Sequence, residues 1–347
     1  MKTAVVVCPG RGTYNKTELG WLGRHFGDEA LLAAFDVCRH AAGRPTLSEL
    51  DSAASYSVST HTRGDNASGL IYAATVGDFA AMAKDVRVVA VTGNSMGWYS
   101  TLACAGAVSP LDGFEIVETM GSLMQQRLIG GQTIYPFVDE DWRPHPSHKA
   151  QLLALVTDIA SRHDHVLALS IDLGGMLVLG GNEAGLVAFE TSVSPLQGRF
   201  PLRLANHAAF HTALQAPVAA EARKKLAVDL FRQPDLPMVD GRGYIWWPRA
   251  TDVVALRDYT LRHQVVGCYD FSRAIAVAAR EFAPNFFIVT GPGTTLGGAI
   301  AQSLILADWC GLGDKAAFQT RQAADPILLS MGIPEQRSLV TGDPSTT

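Results

Sequence analysis

From Val88 to Leu111 the chain carries no charged side chain. So long an apolar run either crosses a membrane or is buried as a strand and a helix, and its own punctuation decides between them. Val88 to Thr92 are mostly β-branched and read as a buried strand. Gly93-Asn94-Ser95-Met96-Gly97 then interrupts the run, and Trp98 to Ala107 continue in small, helix-compatible residues. A second charge-free run, Pro284 to Ala307, is broken in the same way by Gly291-Pro292-Gly293. Two buried strand–turn–helix units are the expected outcome, with no membrane span. They point to an α/β fold built on a parallel sheet.

The first of these units also carries chemistry. Strand, G-x-S-x-G turn and helix together make a nucleophile elbow. Gly93 and Gly97 lack a Cβ, so the chain can turn sharply and the helix can approach the strand. Ser95 is then held out at the strand end, beside the unpaired N–H groups of the helix start, which stabilise a forming oxyanion. Such a serine needs a base from elsewhere in the chain.

Composition excludes several alternatives. With 48% hydrophobic and 18% charged residues over 347 positions, the chain is core-rich and globular. A net charge of −5 with no basic, aromatic-interleaved stripe gives no support for nucleic-acid binding. The five cysteines are scattered and form no C-x-x-C pair, so neither a zinc site nor a disulfide framework is expected. Met1-Lys2-Thr3 runs directly into a strand, Ala4 to Cys8, which leaves no room for a signal h-region and makes a cytoplasmic location the expectation.

That first strand leads into Pro9-Gly10-Arg11-Gly12-Thr13, a glycine-rich loop able to bring a backbone N–H to a reacting oxygen. No Walker lysine accompanies it. Residues 19–78 read as mainly helical, with loops at Gly43-Arg44-Pro45 and at Thr62 to Asn66. Another helix is expected from Pro110 to about Ile129. From Gly131 the pattern changes to strand, helix, strand, Gly-Gly turn, strand, helix and strand. This is the order of a small ferredoxin-like unit over residues 131–204, inserted between a large subdomain's two parts, 1–130 and 205–347. Helices are expected at Ala216 to Leu230, Val253 to Arg262 and Phe271 to Phe282, and a loosely held tail after Ile333.

Four motifs, in order, are similar to those of the malonyl-CoA:acyl-carrier-protein transacylases and the acyltransferase domains of polyketide synthases. Val7-Cys8-Pro9-Gly10-Arg11-Gly12-Thr13 resembles that family's F-P-G-Q-G-S/T. Gly93-Asn94-Ser95-Met96-Gly97-Trp98-Tyr99-Ser100 resembles G-H-S-x-G-E-Y-S. Ala209-Phe210-His211-Thr212-Ala213-Leu214 resembles the F/S-H-x-x-L segment, and Gly291-Pro292-Gly293-Thr294-Thr295-Leu296 the late G-P-G-x-x-L. The likeness covers about residues 3–310. It implies an α/β-hydrolase-like large subdomain with a small ferredoxin-like one, in fatty acid or polyketide biosynthesis. It further implies a Ser95–His211 dyad that moves an acyl group from acyl-CoA to the phosphopantetheine thiol of an acyl carrier protein, without a metal or redox cofactor. The oxyanion donors would be the backbone N–H groups of Met96 and Arg11. A main-chain carbonyl near Gly267 would orient His211, and Asn94, Met120 and Phe210 would touch substrate. His207 reads as structural.

Departures from the family pattern bear on the acyl group. The family's carboxylate-binding arginine on the helix after the elbow corresponds to Met120, which cannot pair with a carboxylate. Arg127 lies two turns further on, about 10 Å away at 1.5 Å per residue. Arg11 stands where the family has glutamine and reads first as a solvent-exposed loop arginine, with reach into the site from the first loop as the second reading. The expected acyl group is therefore uncharged. Two rival readings share the sequence: an editing acyl-carrier-protein hydrolase in which water resolves the acyl-enzyme, and a non-catalytic docking protein. Arg223-Lys224-Lys225 is a candidate patch for an acidic carrier protein.

Overall fold

The computed structural model describes residues 2–145 and 147–342. Eleven strands are found among them: β1 (Lys2–Cys8), β2 (Val86–Gly93), β3 (Gly131–Pro136), β4 (Leu167–Leu173), β5 (Met176–Gly181), β6 (Leu202–Arg203), β7 (Met238–Val239), β8 (Ile245–Trp246), β9 (Tyr269–Asp270), β10 (Phe286–Val289) and β11 (Leu328–Ser330). They form two sheets, of order β11-β10-β1-β2-β7-β8 and β6-β3-β5-β4-β9. In the larger sheet every neighbouring pair is parallel except β7 and β8 at one edge. Its central strands are apolar without alternation, since helices cover both faces: Ala4 to Cys8 and Phe287 to Val289 are almost fully buried.

The smaller sheet has the β-α-β-β-α-β order of a ferredoxin-like unit, with helices His148–Ala160 and Glu183–Ser192 as its crossovers. A fifth strand, β9, comes from far along the chain and pairs in parallel with β4. The insert is thus stitched to the main body by backbone hydrogen bonds as well as by its two connections.

Three differences from the sequence reading have physical causes. The expected loop at 62–66 is partly helix, because Gly64–Ala80 begins there. Its first N–H is capped across the helix pair by Gln125 Oε1 at 2.7 Å. The helix expected over 253–262 stops at Asp258 and passes through a π-helical turn, Tyr259–His263, before Gln264–Val266. The expected loose tail after Ile333 is held over residues 334–342, and residues 343–347 lie outside the described residues. Helix Pro334–Thr341 buries Val340, and Arg337 Nη1 pairs with the buried Asp78 at 2.6 Å. Asp78 in turn accepts the Gly291 N–H at 2.6 Å, so this helix braces the late glycine-proline loop.

Candidate active site

Ser95 occupies the turn between β2 and the helix Gly97–Cys104, with a left-handed φ of 56°. A non-glycine residue pays for that conformation in strain, so the surroundings must hold it. They do so by packing. A Cβ on Gly97 would lie 2.2 Å from the Cys8 carbonyl oxygen, and one on Gly93 2.5 Å from the Gly97 carbonyl. Strand, turn and helix interlock at contact distances that only glycine permits. Tyr269 Oη adds a hydrogen bond to the Gly93 carbonyl at 2.6 Å.

His211 comes from the loop that follows β6 and also has a left-handed φ, of 55°. Its Nδ1 lies 2.6 Å from the Gln264 main-chain carbonyl, and its Nε2 2.7 Å from Ser95 Oγ. A carbonyl only accepts, so Nδ1 carries the proton and Nε2 is left as acceptor for the serine hydroxyl. Burial pushes the imidazole pKa down to about 4, with the Gln264 bond opposing and His263 adding to the shift. At neutral pH the ring is an uncharged base aimed at Ser95.

The His211-orienting carbonyl is therefore that of Gln264 and not of Gly267. Gln264 lies in the last turn of its helix, where carbonyls lack an intrahelical N–H, whereas Gly267 is already extended beyond the end. The Gln264 side chain ties the same residues together. Its Nε2 donates to the Ser95 carbonyl at 2.9 Å, and its Oε1 accepts from Tyr99 Oη at 3.0 Å. On the other flank, His207 Nδ1 donates to Gln132 Oε1 at 2.8 Å. Gln132 Nε2 donates to Ser170 Oγ at 2.6 Å, and Ser170 Oγ donates to the Phe210 carbonyl at 2.8 Å. This buried chain fastens the His211 loop to the smaller sheet. Gln264, Gln132 and Ser170 carry no local motif. For Gln132 and Ser170 the one signal is a polar residue set within an apolar stretch, and Gln264, which follows Arg262 and His263, lacks even that.

The first loop packs directly on the elbow: a Cβ on Gly10 would stand 2.5 Å from the Asn94 carbonyl oxygen and 3.5 Å from Ser95 Cβ. Met96 follows Ser95 and Arg11 follows Gly10, and the N–H groups of both have no acceptor among the described residues. A narrow cavity opens here, lined by Arg11, Ser95, Met96, Met120, Phe210 and His211, with Val117 and Met124 completing an apolar wall. Its space for water-sized centres is about 20 Å³.

Two expectations change. Asn94 does not line this cavity: the left-handed turn at Ser95 directs it elsewhere, its N–H is held by the Cys8 carbonyl at 3.0 Å, and its Oδ1 is enclosed without a partner. Arg11 is no exposed loop arginine. Although part of the residue remains accessible, its guanidinium is enclosed, with burial pulling the pKa down to about 10 against the opposing pull of Asp65. Nη2 donates to the carbonyls of Thr62 at 2.9 Å and Asn206 at 3.2 Å. The group lies 5.4 Å from the centre of the Phe210 ring. Away from the cavity, Arg223 and Lys224 are on the surface, near Asp258 and Glu221 respectively.

An α/β-hydrolase-like body with a small ferredoxin-like subdomain and a hydrogen-bonded Ser–His pair at a strand-to-helix elbow defines a class of α/β folds. Within that class, the fold is that of the malonyl-CoA:acyl-carrier-protein transacylases, and the sequence is related to theirs. Superposition on the acyl-carrier-protein S-malonyltransferase of Burkholderia pseudomallei 1710b gives a TM-score of 0.74 at 18% identity, covering 99% of this chain and all of that one. The malonyl CoA-acyl carrier protein transacylase of Salmonella typhimurium is 24% identical over 60% of this chain, a match that spans 63% of that protein's length. A type I polyketide synthase of phenolphthiocerol synthesis from Mycobacterium marinum is 28% identical over 69% of this chain and 10% of its own. No protein-family model matches the chain. Among the described residues no helix is long and apolar enough to cross a membrane.

Proposed function

We propose that the protein is an acyl-CoA:acyl-carrier-protein S-acyltransferase working through an acyl-Ser95 intermediate. The observation that carries this reading is the 2.7 Å contact between Ser95 Oγ and an imidazole whose other nitrogen is tied to a main-chain carbonyl. Ser95 Oγ attacks the thioester carbonyl carbon while His211 Nε2 takes its proton. The developing oxyanion is received by the Met96 and Arg11 N–H groups. The C–S bond then breaks, and the coenzyme A sulfur leaves with the proton from His211. The carrier protein's thiol reverses the sequence, giving its proton to His211 and taking the acyl group. The relatives named above, whose names specify acyl carrier protein, support that acceptor for this chain. The pairing of serine with a neutral, oriented base argues against a merely scaffolding role.

The test is to incubate the protein with a panel of acyl-CoA thioesters, follow the Ser95 adduct by intact mass, and then add holo-acyl carrier protein. Transfer of the adduct to the carrier thiol is expected. Release as free acid, with no acyl-carrier product, would replace the transferase by a hydrolase; absence of any Ser95 adduct would remove the enzymatic reading.

A further inference from the structure

The cavity beside Ser95 holds a cation whose donors are only partly used. Arg11 makes no ion pair among the described residues. Asp65, the acid whose charge acts on it, is already engaged by Arg63 through contacts of 3.0 and 2.8 Å. Its Nε is enclosed and has no acceptor. Its Nη1, also without a partner, lies where a side chain on Gly64 would begin, 3.6 Å away, and Gly64 itself lines the cavity. A cation with an enclosed, unsatisfied Nε, a second donor left open beside the cavity and no counter-charge is set to receive an anionic ligand. The opposite wall (Val117, Met120 and Met124) offers no charge at all. Among the described residues, the one cationic group lining the cavity of Ser95 therefore enters from the loop after β1 and not from the helix Pro110–Gln126.

We propose that Arg11 is the specificity-determining residue of this site and holds the free carboxylate of a short carboxyacyl thioester while Ser95 attacks its other end. This rests on the acyl-transfer reading of Ser95 and replaces the uncharged acyl group that Met120 alone suggests. The narrowness of the cavity, about 20 Å³, favours the shortest such acyl group. The main-chain N–H of Arg11 serves the oxyanion whatever side chain is present, so the two roles of this residue separate by substitution.

The experiment is single-turnover acylation of Ser95, read by intact mass, with malonyl-CoA and acetyl-CoA on the wild type, Arg11→Gln and Arg11→Gln/Met120→Arg. The wild type is expected to load malonyl at least tenfold faster than acetyl. Arg11→Gln should lower the malonyl-to-acetyl loading ratio by tenfold or more, and a wild-type circular dichroism spectrum and thermal melt show that the variant is folded. Returning a guanidinium from the helix in the double variant should restore malonyl loading. Preference of the wild type for acetyl, or an unchanged malonyl-to-acetyl ratio in Arg11→Gln, overturns the proposal and leaves acyl transfer intact. An equal fall with both thioesters overturns it as well, placing Arg11 on the coenzyme A phosphates. Failure of every thioester to load the wild type instead removes the acyl-transfer reading and this proposal with it.

Discussion

Ser95 stands at the end of a strand with neighbours on both sides in the larger sheet, whereas His211 stands in a loop that belongs to neither sheet. The serine is placed by backbone packing: glycines on either side, a left-handed turn and a helix driven hard against β1. The histidine is placed by side-chain and carbonyl hydrogen bonds drawn from both halves of the molecule, through Gln264 on one flank and Gln132–Ser170 on the other. Packing of the first kind is local and tolerates little change. A hydrogen-bond chain of the second kind is distributed, and its members contribute in smaller portions.

The sharpest break is removal of the pair itself. Ser95→Ala should give no acyl adduct, and His211→Ala should slow adduct formation by about 10²–10⁴-fold, the range for a positioned base. Intact mass measures both, with thermal melts expected to stay close to wild type. Gly97→Ala attacks the packing route, because its Cβ would meet the Cys8 carbonyl oxygen at 2.2 Å and the Pro9 carbonyl oxygen at 2.8 Å. A loss of about 3 kcal/mol is expected in urea unfolding, at the upper end for overpacking. A wild-type midpoint there would show that the elbow is looser than its contacts imply. Ser170→Ala attacks the other route by leaving Gln132 Nε2 and the Phe210 carbonyl buried without this partner. It should cost about 1–2 kcal/mol of stability and slow acylation more than it weakens substrate binding.

The last test is pH. Since burial holds the His211 pKa down at about 4, the base stays neutral and the acylation rate should be flat from pH 7 to pH 5, falling only as pH drops through about 4. An unfolded imidazole titrates near 6.5. The unfolded chain therefore binds the extra proton first, and folding stability is lost as pH falls from about 6.5 toward 4. A rate profile inflecting near 6.5 would mean that the ring is open to water.

The elbow was legible because everything that makes it lies within a few residues. Gly93, Ser95 and Gly97 follow a β-branched run and precede small helix formers. The ferredoxin-like order of the insert was legible for the same reason, from alternating periodicities and the Gly174-Gly175 turn. Gln264 was not, since which carbonyl is free depends on where a helix ends after a π-helical turn that no residue announces. The C-terminal helix was missed because its hold on the core, through buried Val340 and the ion pair of Arg337 with Asp78, joins segments far apart in the chain.

Arg11 shows the same division in a single residue. Sequence alone determined that a glycine-rich loop follows β1, that an arginine sits in it, and that Met120 stands where the family it resembles has an arginine. Only the tertiary structure decided that this arginine is folded inward over Phe210, beneath the carbonyls of Thr62 and Asn206, to face the cavity of Ser95. A side chain's identity is local, but its solvation depends on what distant segments cover it, and solvation decides whether a loop cation meets water or a substrate.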